Sequence, residues 1–153
     1  MSTRVSSNLR SELSAKFGAR VLFDEPLKKY LAYQVGGPAD VLVFPSNVEE
    51  LEDLSILSRS QNIPITIVGN GTNLLVQDGG IRGVTISLTK AFKEIEILSQ
   101  KETTIVRCGG GVGKADFLEW ALAHGLSGLE FSAGVPGTIG GGIFMNAGTK
   151  YGC

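Results

Sequence analysis

The chain has 153 residues, a formal net charge of −1, 42% hydrophobic and 19% charged residues. That balance is globular rather than disordered, and the length fits one domain, or one domain with part of another. With no Lys/Arg cluster, no apolar run near the roughly 20 residues that span a bilayer and no secretory leader, neither nucleic acid nor membrane is expected, and the cytoplasm is the expected location.

Taken in order, Val5, Leu9, Leu13 and Phe17 recur every four residues and predict a weakly amphipathic helix over 5–17. Residues 41–44 read as a buried strand closed by Pro45. Ser46 and Glu49 form an S-x-x-E capping pattern, and Val48, Leu51, Leu54 and Leu57 predict a helix over about 47–60, stopped by Asn62 and Pro64. Residues 65–68 return as a strand, and strand, helix and strand together predict a parallel, right-handed unit. A second apolar run, 74–76, follows a polar break, Asp78, Gly79 and Gly80 read as a turn, and residues 84–88 form a further strand.

Past Lys90 the pattern changes. Residues 95–98 and 103–106 flank a polar four-residue loop and read as a hairpin. A glycine run, 109–113, leads into a helix over about 114–124, with Phe117, Leu118, Ala121 and Leu122 on one face and Gly125 as its cap. The first part is therefore α/β and the second α+β, with a boundary near residue 88.

Glycine stands out: there are 21, clustered at 69–83, 109–113 and 134–148. Between apolar runs lie Gly69, Asn70, Gly71, Thr72 and Asn73. Asn-Gly between apolar residues is a hairpin signal, whereas glycines followed by a hydroxyl and an amide suit a main-chain nest for an anion. A phosphate loop of the Gly-Lys-Ser/Thr kind is absent, and a Rossmann fingerprint would put glycine where Leu74 stands. In the last cluster, Pro136 and Gly137 start a turn, and Thr138 caps a helical turn whose N–H groups would face an anion. Gly140, Gly141 and Gly142 would weaken a helix by about 2–3 kcal/mol in sum. Either a wide flat ligand against the backbone or close packing on a neighbouring strand accounts for them, and the ligand is the preferred reading.

The stretches Gly69 to Val76, Gly128 to Phe131, Gly134 to Gly141 and Met145 to Gly148, with Gly36, Gly37, Ala39 and Asp40, resemble the UDP-N-acetylenolpyruvoylglucosamine reductase (MurB) family. The resemblance runs from about residue 27 to the end. It implies an α+β protein with the FAD-binding fold of the vanillyl-alcohol-oxidase (PCMH) type: an N-terminal extension (1–26), an α/β lobe (27–88) and an α+β lobe (89–153) holding an extended FAD. By resemblance, Gly69, Asn70, Gly71, Thr72, Asn73 and Leu74 wrap the pyrophosphate. Ala133, Gly134, Pro136, Gly137, Thr138, Gly140, Gly141, Asn146, Ala147 and Gly148 lie along the rest of the cofactor.

The same resemblance implies a cytoplasmic enzyme of peptidoglycan synthesis in which NADPH reduces FAD and the flavin reduces the enolpyruvyl group of a UDP-amino sugar to UDP-N-acetylmuramate. The arginine, serine and glutamate that the family uses in catalysis have no counterpart within 1–153, so no catalytic residue is assigned and this stretch alone is expected to be inactive. Thr149 to Gly152 is one residue longer than the family's common step, and Tyr151 receives no role. Two other readings stay open: another FAD-linked oxidase or dehydrogenase subunit, although no His or Cys stands near the phosphate loop for covalent flavin attachment, and a non-catalytic nucleotide-binding module. A reading frame continuing past codon 153 favours the reductase. Elsewhere, His124 reads as a helix-end residue, Cys108 as a small buried hydrophobe, Trp120 as flank packing, and Cys108 with Cys153 as neither disulfide nor metal pair.

Overall fold

The computed structural model describes residues 5–152, so Cys153 and residues 1–4 lie outside it. The chain divides into two compact units, Met1–Ala91 and Phe92–Cys153.

In the first unit, helix α1 (Ser7–Phe17) starts two residues before its first buried leucine, where the Ser6 hydroxyl caps it by accepting from Leu9 N. Leu9, Leu13 and Phe17 are buried, as their spacing predicts. Next comes β1 (Val21–Pro26), a strand the sequence reading did not anticipate, paired antiparallel with β2 (Pro38–Val43). Helix α2 (Val48–Gln61) follows, capped by Asn47 rather than Ser46. The Asn47 Oδ1 accepts from Glu50 N at 2.9 Å while the Glu50 carboxylate accepts from Ser46 N at 2.7 Å, so the cap sits one residue later than expected and the carboxylate reaches back past it to Ser46. Asn62 ends the helix in the left-handed conformation, at φ 52° and ψ 46°.

Strands β3 (Ile65–Val68) and β4 (Ile81–Ser87) complete a sheet of order β1-β2-β4-β3. The expected parallel relation between β2 and β3 holds, but the two are not neighbours: both run parallel to β4, which lies between them. Alternation across the sheet separates two cores. One contains Val41, Val43, Val84 and Ile86 under Leu54 of α2 and the buried side of α1. The other contains Ala39, Leu42 and Phe44 under Leu27, Leu31 and Val76. Residues 74–76 are not a strand: Leu74 and Val76 enter the second core and Leu75 is exposed. Asp40, 2% exposed, pairs with Arg82 Nη1 at 2.6 Å and accepts from Gly83 N at 3.1 Å, closing the register irregularity between β2 and β4.

The second unit opens with the hairpin β5 (Ile95–Gln100) and β6 (Thr104–Cys108), whose connection is residues 101–103, tighter than expected. Helix α3 (Lys114–Ala123) ends where predicted: Gly125 N donates to Leu122 O at 3.0 Å and Leu126 N to Ala121 O at 2.9 Å, the paired bonds of a Schellman end. Phe117 and Ala121 are buried, whereas Leu122, expected on the same face, is 79% exposed. Trp120 lies between Phe117 and His124, with ring centroids 6.0 and 4.1 Å away, and His124 Nδ1 is 2.7 Å from Trp120 O. Burial, and secondarily Glu94, push the Cys108 thiol up, away from nucleophilic use. A short helix, α4 (Ile139–Phe144), carries the three glycines.

Candidate functional site

Strands β3 and β4 are parallel neighbours, so the chain between them must return from the carboxyl end of one to the amino end of the other. It does so as an irregular loop, residues 69–80, stitched at two points to the segment preceding β2. Ala32 N donates to Gly71 O at 3.1 Å, and Gly37 N donates to Gln77 O at 3.0 Å. Gly71 is buried at φ +62°, and a Cβ built on it would lie 2.4 Å from Tyr30 O. Glycine is thus required here by the fold's own close approach, whatever binds on the other side.

The stitching uses carbonyl groups. Among the described residues, the N–H groups of Gly69, Asn70, Gly71, Thr72 and Asn73 donate no hydrogen bond within the chain, nor do the side chains of Asn70, Thr72 and Asn73. Asn70 and Asn73 are exposed, Gly69 and Thr72 partly buried, and Leu74 belongs to the core beneath. Adjacent donors without acceptors, on a loop fixed from behind, are available to an anion with little left to reorganise. This set suits a diphosphate, whose oxygens only accept hydrogen bonds.

Beside the loop lies a concavity of about 350 Å³ lined by Lys29, Tyr30, Leu31, Ala32, Gly69, Asn70, Ser87 and Thr89. It sits at the carboxyl ends of β3 and β4, where open α/β sheets bind ligands, and its volume is at the small end for ligand pockets. Ser87 and Thr89 hydroxyls are 2.9 Å apart, and Lys29 Nζ is 2.9 Å from Glu25 Oε1. Burial, helped by the Glu25 carboxylate, pushes the Tyr30 phenol up and keeps it neutral. The sequence reading missed Lys29, Tyr30, Leu31, Ala32, Ser87 and Thr89. No spacing rule finds them, because only the strand order brings them to Asn70.

In the second unit the remaining candidates are arranged differently. Ala133 closes a 3-10 turn, Gly134 and Gly137 have φ of +79° and +113°, and Gly137 O accepts from Lys114 N at 2.9 Å. Thr138 is buried and caps α4, its Oγ1 accepting from Gly141 N at 3.1 Å. The first-turn donors of α4 are not open to an anion as expected. Ile139 N donates to Val112 O, Gly140 N to Gly110 O and Gly142 N to Thr138 O, at 2.8 to 3.1 Å. A Cβ at Gly140 would lie 2.9 Å from Gly110 O, so close packing of backbone on backbone accounts for that glycine. Asn146, at φ 48°, ends α4, with Asn146 N bonded to Ile143 O and Ala147 N to Gly142 O. Gly134, Pro136, Asn146 and Gly148 are exposed. Thr149 and Gly152 close a tight turn, and the Thr149 hydroxyl donates to Phe131 O at 3.0 Å.

Among the described residues there is no group of three or more His, Cys, Asp or Glu able to hold a metal, and no helix long and apolar enough to cross a membrane.

A family described as FAD binding domain matches residues 39–153. The chain belongs to this family. As an FAD binding domain its cofactor is FAD, and the open donors of the 69–73 loop fit that group's diphosphate. The chain is 45% identical over 126 residues to a UDP-N-acetylenolpyruvoylglucosamine reductase of Rubrobacter xylanophilus, covering 82% of this chain and 41% of the relative. It is 47% identical over 133 residues to the enzyme of that name from Pediococcus pentosaceus, covering 87% and 43%. Among solved structures it is similar to UDP-N-acetylenolpyruvylglucosamine reductase (MurB) from Thermus caldophilus, with 32% identity, a TM-score of 0.64, and coverage of 86% of this chain and 43% of that one. The mixed fold is therefore the FAD-binding type that the motifs implied. The chain spans less than half the length of the curated relatives it matches.

Proposed function

We propose that this chain is the FAD-holding part of a cytoplasmic reductase that uses NADPH to convert UDP-N-acetylglucosamine enolpyruvate to UDP-N-acetylmuramate in peptidoglycan synthesis. The observation that carries the reading is 45% identity over 126 residues, 82% of this chain, to a UDP-N-acetylenolpyruvoylglucosamine reductase. Bound FAD would supply the hydride chemistry, and the protein would supply binding and electrostatics. Gly69, Asn70, Gly71, Thr72 and Asn73 would hold the pyrophosphate through main-chain donors and two amides, with Leu74 anchoring the loop from below. The concavity beside Asn70 would take an adjoining part of the dinucleotide. Ala133, Gly134, Pro136, Gly137, Thr138, Gly140, Gly141, Asn146, Ala147 and Gly148 would line its remainder.

No residue in this chain is assigned to protonating the enolpyruvyl carbon. Purified 1–153 is therefore expected to bind FAD, with the absorbance near 450 nm typical of oxidised flavin, and to show no NADPH oxidation dependent on the UDP-sugar. Turnover by 1–153 would overturn the assignment of catalysis to other residues, and a colourless protein that takes up no FAD would overturn the binding assignment.

A further inference from the structure

The concavity beside Asn70 differs in chemistry from the loop at its rim. The loop offers main-chain donors without acceptors. The walls are neutral: Lys29 Nζ and Tyr30 OH both donate to Glu25 Oε1, at 2.9 and 3.1 Å, so the cation among the lining residues already has its counter-charge. What the walls hold in reserve is a pair of hydroxyls. Ser87 ends β4, is 5% exposed, and by strand alternation shares a face with Thr85, whose partner across the sheet is Leu42. Its Oγ lies 2.9 Å from Thr89 Oγ1 and accepts from Thr89 N at 3.5 Å.

The ordinary account of such a pair is a strand end that satisfies its own polar groups. That account is incomplete here. Each hydroxyl can donate once and accept twice, and the bond between them uses only one of the two protons. The second O–H, with lone pairs on both oxygens, has no partner among the described residues. A phosphate, which only accepts, would leave those lone pairs unused. A neutral group that both donates and accepts would use the pair fully. The covalent structure of FAD puts such groups on either side of its diphosphate: the ribose of the adenosine half and the ribityl chain of the flavin half. With the diphosphate on residues 69–73, the sugar next to it reaches the concavity that Gly69 and Asn70 also line. At about 350 Å³ that space is small among ligand pockets and ample for a sugar.

We propose that Ser87 and Thr89 form a sugar subsite, their paired hydroxyls exchanging hydrogen bonds with the FAD hydroxyls nearest the diphosphate. The proposal rests on the FAD-binding reading and gives it two side chains from β4 and the turn after it. Every residue it uses lies in the first unit.

The test combines Ser87→Ala with Thr89→Val in the full chain and uses two FAD analogues, one lacking the ribose 2′- and 3′-hydroxyls and one lacking the ribityl 4′-hydroxyl. Dissociation constants come from flavin fluorescence titration at low and high salt. The double variant should bind FAD at least fivefold more weakly, the worth of a neutral hydrogen bond, at either salt concentration. On the unsubstituted protein one analogue should bind at least fivefold more weakly than FAD: the ribose analogue if the adenosine half fills the subsite, the ribityl analogue if the flavin half does. On the double variant that same analogue should match FAD within twofold, because its missing hydroxyl no longer has a partner. A purely structural role for the pair would instead weaken FAD and both analogues by one common factor, and that result overturns the proposal. So does FAD binding to the double variant within twofold of the unsubstituted protein. Thr89→Val alone, read in the same way, replaces the double variant if that protein melts below the assay temperature. If the unsubstituted protein takes up FAD and these comparisons fail, the subsite falls and the cofactor reading stands; if it takes up no FAD, both fall.

Discussion

Replacing Gly71 with alanine separates what the fold demands of the 69–73 loop from what a ligand demands. The residue is buried at φ +62°, and the new methyl would stand 2.4 Å from Tyr30 O and 2.8 Å from Leu31 Cδ2. Holding an L-residue in the left-handed region costs roughly 1–2 kcal/mol. Forcing a methyl against fixed backbone adds about 1–3 kcal/mol, because the Ala32 N to Gly71 O bond holds the two segments together. Gly71→Ala should therefore lose about 2–5 kcal/mol in protein stripped of FAD. In urea denaturation, with a slope of about 2 kcal/mol per molar, the midpoint should fall by roughly 1–2.5 M. The reasoning fails if FAD-free Gly71→Ala loses less than about 1 kcal/mol while FAD affinity drops, since the glycine would then be required by the ligand and not by Tyr30.

Glu50 accepts from Arg20 at 2.6 Å through both oxygens and from Ser46 N, and these bonds, Arg20 first, hold its carboxyl down at about 2. Its folded value is depressed, so the stabilisation is complete above the ordinary carboxylate range and is lost as pH falls from about 4.5 toward 2. With Arg20 39% exposed, the contribution after solvent screening is about 1–2 kcal/mol, so Glu50→Gln should lower stability at pH 7 by that much and flatten the acid limb of a pH–stability profile. Asp40→Ala leaves Arg82 and Gly83 N without their acceptor between two strands and should cost about 3 kcal/mol in chemical denaturation; a loss under 1 would mean that water replaces the carboxylate. Asn70→Ala should weaken FAD binding roughly tenfold, as expected for one hydrogen bond to a charged group, and leave FAD-free stability unchanged; equal affinity in equilibrium dialysis would remove Asn70 from the site.

Where local chemistry decides conformation, the sequence was readable. Helix α2 announced itself by periodicity and caps, even though Asn47 displaced Ser46, because either side chain can accept from the first turn. The Schellman end at Gly125 was equally local. Strand β1 was not legible: Val21–Pro26 contains Asp24 at φ 50° and ends in proline, and it is extended because β2 offers it an edge. The role of Leu74, Leu75 and Val76 was not legible, because an apolar run does not say whether it pairs or merely plugs a core. The glycine-rich segments were visible as anomalies, yet composition does not distinguish backbone whose N–H groups are left open, as at residues 69–73, from backbone pressed on backbone, as at Gly140 and Gly110. Lys29, Ser87 and Thr89 join the concavity only through strand order, a property no single window contains.

Homology and foldability draw different lines through this protein. The family match begins at residue 39, but five of the ten buried residues in the first core, Val5, Leu9, Leu13, Phe17 and Val21, come earlier in the chain. A version trimmed to the matching region would lose α1 and β1, leave α2 alone on that face of the sheet, and leave Glu50 without Arg20. Such a product should aggregate or melt at ambient temperature while retaining every glycine of residues 69–83 and 134–148. An assay on it would then score a cofactor site as defective when only its scaffold had been cut away.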